Sequence, residues 1–344
     1  MISFYQLIAD IREEDWNYYA GFNYYKIQKS LISETPSKDF IQDYFRQGGK
    51  EEIINRFMMD SFTQQRADHT VSIFFLGLAL FHQTRLEGKT IFKGITSDKY
   101  DFFHFIWFVT CLAHDIAFDL ERDELLYQEC PDLPSLKRHL GITVDLSECD
   151  VALIPQYLFR SCETYFRYLH STRNRVDHGM YAGFLMYDAL VKNRQLQHEL
   201  KQTNHLSWEP WLDQQYAYAA ATVAIHNIWF PVGEKYRVLY QQHGLNELIG
   251  KEKISFAEAP LLYILAIVDT LDPVKALQDH APIVDILQYT FLSFSDSTMM
   301  LQFSAELNLD KNIEALTGKV KELEEWLNVS VSSTERMLSV KINA

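Results

Sequence analysis

Three apolar runs in this chain begin beside, or end on, a histidine or an aspartate, and that conjunction narrows what the chain can fold into. Val71-Ser-Ile-Phe-Phe-Leu-Gly-Leu-Ala-Leu-Phe81 starts two residues after His69. Phe105-Ile-Trp-Phe-Val-Thr-Cys-Leu-Ala113 runs into His114-Asp115, and Leu261-Leu-Tyr-Ile-Leu-Ala-Ile-Val268 runs into Asp269. A helix that is apolar all round belongs inside a core. A carboxylate or imidazole carried into that core is costly unless something compensates it, and a metal ion is one efficient compensation. Successive helical residues point about 100° apart, so His114 and Asp115 can straddle an ion, and the two oxygens of Asp115 can bridge two ions.

The rest of the composition agrees with a helical body. Only 13 Gly and 9 Pro occur in 344 residues, too few for a loop-rich all-β design. With 47% hydrophobic and 23% charged residues the chain has the balance of a globular protein with a large core. The longest apolar run falls far short of the roughly 20 residues of a membrane span, so no membrane partner is expected. Asp10, Arg12, Glu13, Glu14 and Asp15 follow the N-terminus too closely for a signal-peptide core. Cys111, Cys130, Cys149 and Cys162 form no C-x-x-C pair, which suits a reducing compartment. The expected location is the cytoplasm. The net charge of −14 disfavours a broad nucleic-acid groove and favours a small phosphorylated substrate, for which metal ions or a local basic patch supply the attraction.

Read along its length, the chain divides into residues 1–282, all helical, and residues 283–344, a small α+β unit. Short helices are expected up to Gln47-Gly48-Gly49. Helical stretches then follow from Lys50 to about Glu87, with Gly88 as the stop, and from Asp101 to Leu120. Others are expected at about 151–170, 177–200, 211–229, 233–248 and 257–278, with a long connection carrying a short helix at 130–150. Beyond Pro282, Ile283–Phe294 and Met299–Leu307 are rich in β-formers and are separated by the hairpin signal Ser295-Asp296-Ser297. A helix at Lys311–Leu327 and strands at Val329–Val331 and Met337–Ile342 complete a ββαββ appendage. The fold class is mainly α, a helical bundle with this appendage behind it.

Six residues stand out: His69, His114, Asp115, His178, His226 and Asp269. The gaps between them leave room for helical hairpins that return each side chain to one bundle interior, as helical metal proteins do. The remaining eight histidines, His82 and His104 among them, read as core or surface residues. Arg66-Ala-Asp-His69 and Arg175-Val-Asp-His178 share the pattern Arg-x-Asp-His, which on a helix sets arginine and histidine on one face. An arginine there can hold a phosphate beside a metal through its bidentate fork. Arg66 is the stronger candidate, and Arg175, Lys235 and Arg237 are further candidates for phosphate contact. Gly179 and Gly183, four apart, allow a neighbouring helix to approach closely behind His178.

The order His…His-Asp…Asp resembles the HD-domain superfamily of metal-dependent phosphohydrolases over roughly residues 60–280. The resemblance implies that His69, His114, Asp115 and Asp269 ligate a divalent ion. It implies further that His178 and His226, in the interval between the doublet and the last aspartate, serve a second ion, as in the phosphodiesterase-like branches. The doublet often continues Gly-x-Lys in the family, whereas Ile116-Ala117-Phe118 follows here. The Arg-x-x-His start at Arg66 is also similar to the deoxynucleotide triphosphohydrolase branch.

The expected activity is therefore hydrolysis of a phosphoester of a nucleotide or related small substrate, by a binuclear phosphodiesterase. Asp115 would serve as ligand and orienter of the attacking water, and Arg66 would stabilise phosphate charge. The mixed imidazole and carboxylate set suits one or two ions of Mn, Fe, Co, Ni or Zn. Two other readings fit the same residues. One is a mononuclear (deoxy)nucleotide phosphohydrolase in which His178 and His226 act as proton donors or phosphate contacts. The other is a non-catalytic, metal-stabilised sensor whose appendage binds a partner.

Overall fold

The computed structural model describes residues 1–16, 27–57, 62–84, 86, 103–151, 153–200 and 208–343. The expected helix stop at Gly88 lies outside them. Five long helices make up the heart of the body: Gln64–His82, Phe103–His114, His178–Glu199, Leu212–Ile225 and Pro260–Leu271. Each packs on the next in that order, and the last returns to the first, so the five close around a common interior. The run Val71–Phe81 is buried from Val71 to Leu80, and every residue of Phe103–His114 is buried. Phe103–Leu120 is the one described segment apolar and long enough to cross a membrane, and it is mostly buried inside the fold.

Close helix approach depends on the two glycines. A Cβ on Gly183 would lie 2.6 Å from the Ala220 carbonyl oxygen and 2.9 Å from the Ala224 Cβ. One on Gly179 would lie 2.7 Å from both the Val223 carbonyl oxygen and His226 Nδ1. Glycine is thus what lets helix His178–Glu199 lie against helix Leu212–Ile225 and brings His178 and His226 together.

Boundaries differ from expectation where local chemistry intervenes. The stretch expected to run unbroken from Lys50 holds two helices, Glu51–Phe57 and Gln64–His82, the second capped by the Thr63 hydroxyl, which accepts from the Arg66 N–H. Asp272 breaks the expected helix at 257–278: its carboxylate accepts from the Val274 and Lys275 N–H groups and starts a new helix, Pro273–Leu277. Arg175 precedes its helix, because Asp177 is the N-cap and His178 the first helical residue. The one-face argument for Arg175 and His178 therefore fails, whereas Arg66 and His69 do share a helix.

The C-terminal unit is an antiparallel sheet of β1 (Ile2–Ser3), β2 (Thr290–Ser295), β3 (Thr298–Phe303), β4 (Val329–Thr334) and β5 (Met337–Ile342), in the order β1-β2-β3-β5-β4. Ile283–Tyr289 is helical, so the β-rich run beginning at Ile283 becomes strand only at Thr290. The fifth strand comes from the other end of the chain: Ile2 pairs with Leu292 and Ser3 with Phe291. A two-residue edge strand has no periodicity to betray it. Leu292, Leu301 and Leu338 align across β2, β3 and β5 on a buried face. Helix Asp310–Glu322 presents Ile313, Leu316 and Val320 to the interior and packs against β4, Pro260–Leu271 and Pro273–Leu277, which sets it beside the body.

One buried charge lies outside this scheme. The Lys50 ammonium sits 4.6 Å and 4.4 Å from the ring centres of Phe105 and Trp208, and burial lowers its pKa to about 7. Between about pH 7 and its ordinary value of 10.5, the unfolded chain keeps a proton that the folded chain releases. Stability contributed by this residue therefore rises with pH through that window. Lys50→Met should stabilise the fold at pH 7 by up to about 4 kcal/mol, the linkage value of such a shift. Urea unfolding at pH 7 and pH 10 checks this, since the gain of the variant over wild type should shrink at the higher pH.

Candidate metal centre

Helix ends converge on one buried place. His114 closes helix Phe103–His114, Asp115 follows in the turn, His226 is the C-cap of Leu212–Ile225, and Asp269 stands in the last turn of Pro260–Leu271. Helix C-termini carry partial negative charge and leave carbonyls without partners, so three of them together favour a cation. His69 comes from the first half of its helix, and His178 opens its own.

The six side chains form two groups that share Asp115. In the first, His69 Nε2 lies 3.1 Å from His114 Nε2, 3.0 Å from Asp269 Oδ1 and 3.5 Å from Asp115 Oδ2. In the second, His178 Nε2 lies 3.2 Å from both His226 Nε2 and Asp115 Oδ1. One aspartate oxygen faces each group. Donors about 2.1 Å from a common ion sit roughly 3 to 3.5 Å from one another, and these spacings match.

The imidazole orientations make the stronger point. His114 Nδ1 donates to the Cys111 carbonyl at 2.6 Å, and His226 Nδ1 to the Val223 carbonyl at 2.7 Å, both oxygens of a last helical turn. A carbonyl can only accept, so each Nδ1 carries the proton and each Nε2 presents its lone pair to the interior. His69 Nδ1 lies 2.7 Å from Asp272 Oδ2, and His178 Nδ1 lies 2.6 Å from Glu121 Oε1. Asp272 also accepts from the Ser72 hydroxyl at 2.5 Å, and Glu121 from Arg175 at 2.8 Å. Four inward-facing nitrogens, each backed by an acceptor, form the arrangement that orients histidine ligands on a metal. The donor set fits a divalent transition metal.

Electrostatics agree. Burial opposes ionisation of Asp115 and Asp269, yet Lys275 and the surrounding histidines hold both carboxyls well below the usual carboxylate range. Burial also disfavours a charged His178, but Asp115 and Glu121 outweigh it and push its pKa up to about 9. His226 goes the other way, to about 3, through burial and then the nearby His178 and His114. Four carboxylates (Asp115, Glu121, Asp269 and Asp272) meet three permanent cations (Lys275, Arg66 and Arg175), and His178, charged below about pH 9, adds a fourth.

No family model, curated protein or solved structure matches this chain. What its site can do is read from its own residues. Arg66 reaches the centre: its Nη1 lies 3.2 Å from Asp115 Oδ2, and its guanidinium lies 3.7 Å from the Phe118 ring centre. Arg175 touches the centre only through Glu121. Lys235 and Arg237 are exposed on helix Glu234–Gln242, and neither makes an ion pair or hydrogen bond to the cluster, so they do not belong to its immediate surroundings.

Asp272, Glu121, Lys275 and Asn227 belong to the centre without having been singled out from sequence. Lys275 Nζ lies 2.6 Å from Asp269 Oδ1 and 3.5 Å from Asp115 Oδ2, and Asn227 Nδ2 lies 3.1 Å from His178 Nε2. Asp272 caps the helix that begins at Pro273, and the same carboxylate turns back to His69. Glu121 lies in a charged turn with no distinguishing pattern. A third group, Asp15, His82 and His104, also assembles from residues read as bland. There both oxygens of Asp15 accept from Arg12 at 2.7 Å, which already supplies the carboxylate with its counter-charge.

Proposed function

We propose that the chain is a metal-dependent phosphohydrolase of the HD type that cleaves a phosphoester of a nucleotide, with two divalent ions held between the two ligand groups. The observation that carries this reading is Asp115, whose two oxygens face different histidine sets at 3.2 Å and 3.5 Å. A carboxylate so placed would serve as a ligand in both groups. When bound, the two ions supply a nucleophile from water at neutral pH and neutralise the phosphoryl oxygens.

The chain's own groups supply the rest. His69, His114 and Asp269 would hold one ion and His178 and His226 the other, with Asp272 and Glu121 orienting the His69 and His178 rings. Arg66 and Lys275 both face Asp115 Oδ2, at 3.2 and 3.5 Å, with positive charge for the phosphate. The ammonium missing after the His-Asp doublet is thus brought to the centre by a different helix. A cavity of about 480 Å³, lined by Asp269, Asp272 and Lys275, gives a substrate access to this side.

The test is a panel of phosphomonoesters, phosphodiesters and nucleoside triphosphates, assayed with Mn²⁺, Co²⁺ or Ni²⁺, alongside metal analysis. Two equivalents per chain are expected, falling to one in His178→Ala and His226→Ala, with phosphodiesters preferred. A single equivalent unaffected by those substitutions would remove the second ion. Absence of turnover across the whole panel would favour a non-catalytic metal-stabilised protein.

A further inference from the structure

A cavity of about 920 Å³ lies between the helical body and the C-terminal unit. Two of its lining residues, Trp229 and Glu322, also line the cavity that reaches Asp269 and Lys275, so the two spaces adjoin. Its composition departs from that of the chain. Four cations, Arg122, Arg173, Arg175 and Lys321, face two acids, Glu322 and Glu325, in a protein whose net charge is −14.

Its walls are also rich in rings. Trp229 of the body and Trp326 of the C-terminal unit stand with ring centres 5.2 Å apart, and Phe230 and Tyr236 also line the cavity. Two N–H donors in this lining lack an acceptor: Nε1 of Trp326, a residue only 3% exposed, and Nε of Arg175. A buried donor without a partner costs about 1 to 3 kcal/mol, so an acceptor that reaches either one through a small shift of the lining is favoured. A ligand that satisfies all three features has a flat ring, acceptor atoms and negative charge. A nucleotide unit has each of them, and stacking on an aromatic side chain tolerates any base.

We propose that this cavity binds a nucleotide arm of the substrate, its base against Trp229 and Trp326 and its charge on Arg173 and Lys321, so that the C-terminal unit forms the specificity wall of the site. Helix Asp310–Glu322 and the turn after it supply Lys321, Glu322, Glu325 and Trp326, which gives the appendage a role in substrate selection. Naming this arm as part of a substrate rests on the hydrolase reading; the binding itself does not.

The experiment is a tryptophan-fluorescence titration of the full chain with adenosine 5′-monophosphate in the presence of EDTA, which separates this pocket from capture of phosphate by metal. Saturable quenching is expected. In Trp326→Phe, which keeps a ring but removes the donor, both the quench and the affinity should fall. Arg173→Glu combined with Lys321→Glu, both at exposed positions, should weaken the nucleotide by about tenfold or more, because charge-assisted contacts are lost and reversed. Adenosine, which lacks the phosphate, should respond far less to that double change. No saturable binding to wild type, or equal affinity in wild type and both variants, would overturn the proposal. Binding in EDTA without turnover in the metal panel would leave the pocket standing and sink the hydrolase reading.

Discussion

Asp115→Ala is expected to abolish hydrolysis and to empty both ligand groups at once. Removal of His178 or His226 costs one group a nitrogen, whereas Asp115 offers Oδ1 to the second group and Oδ2 to the first. Alanine there removes the shared ligand and leaves each ion with fewer donors than a stable site needs. Turnover should fall by at least about 10³-fold, or about 4 kcal/mol of barrier, since the activated nucleophile is lost with the ions. The fold should survive. Lys275 keeps its 2.6 Å contact with Asp269, and Arg66 keeps its place over Phe118. Metal analysis and turnover measured on the same preparation, with unfolding by urea as the control, decide the matter. Activity that persists in this variant would exclude the two-ion mechanism whatever its metal content.

The parts of the site that were legible in the sequence are those where an ionisable residue breaks an apolar run. His114, Asp115 and Asp269 announce themselves because burial makes their presence costly, and the structure buries His114 and Asp115 almost completely. His178 and His226 were legible through their place in the interval and through the glycines beside His178, whose missing side chains admit helix Leu212–Ile225. The supporting groups were not. Glu121 and Lys275 come from charged stretches of ordinary appearance and acquire meaning only when the chain folds back on itself. The same limit applies to the fold. Long apolar helices and the Ser295–Thr298 hairpin follow from periodicity and turn chemistry. The pairing of Ile2 with Leu292 joins residues 290 positions apart, and no local pattern encodes it. Arg175 shows a third kind of limit: its resemblance to Arg66 in sequence conceals a different backbone setting, because Asp177 starts the helix after it.

Asp272→Ala should have the second large effect, and of a different kind. The Asp272 carboxylate is buried and accepts from four donors: His69 Nδ1 at 2.7 Å, the Ser72 hydroxyl at 2.5 Å, and the Val274 and Lys275 N–H groups at 3.1 and 2.9 Å. Alanine leaves all four without this acceptor in a dry interior and also removes a helix cap. The expected loss of stability is about 3 to 5 kcal/mol, less than the sum of the separate contacts because such terms do not add. The chemical consequence follows from His69. Without its acceptor, Nδ1 no longer fixes the proton or the ring, and Nε2 is no longer held towards His114 and Asp269. Metal affinity of the first group should drop by about 10- to 100-fold while that of the second changes little. Glu121→Ala should produce the mirror image, weakening the second group through His178 and sparing the first. Paired metal titrations of the two variants separate a ligand-orienting role from a merely structural one. A variant that loses stability but keeps wild-type affinity at the first group would reduce Asp272 to a helix cap. If the two variants instead weaken different ions, one histidine of each pair is held by its own outer carboxylate, and Asp115 is the point at which two independently supported half-sites meet.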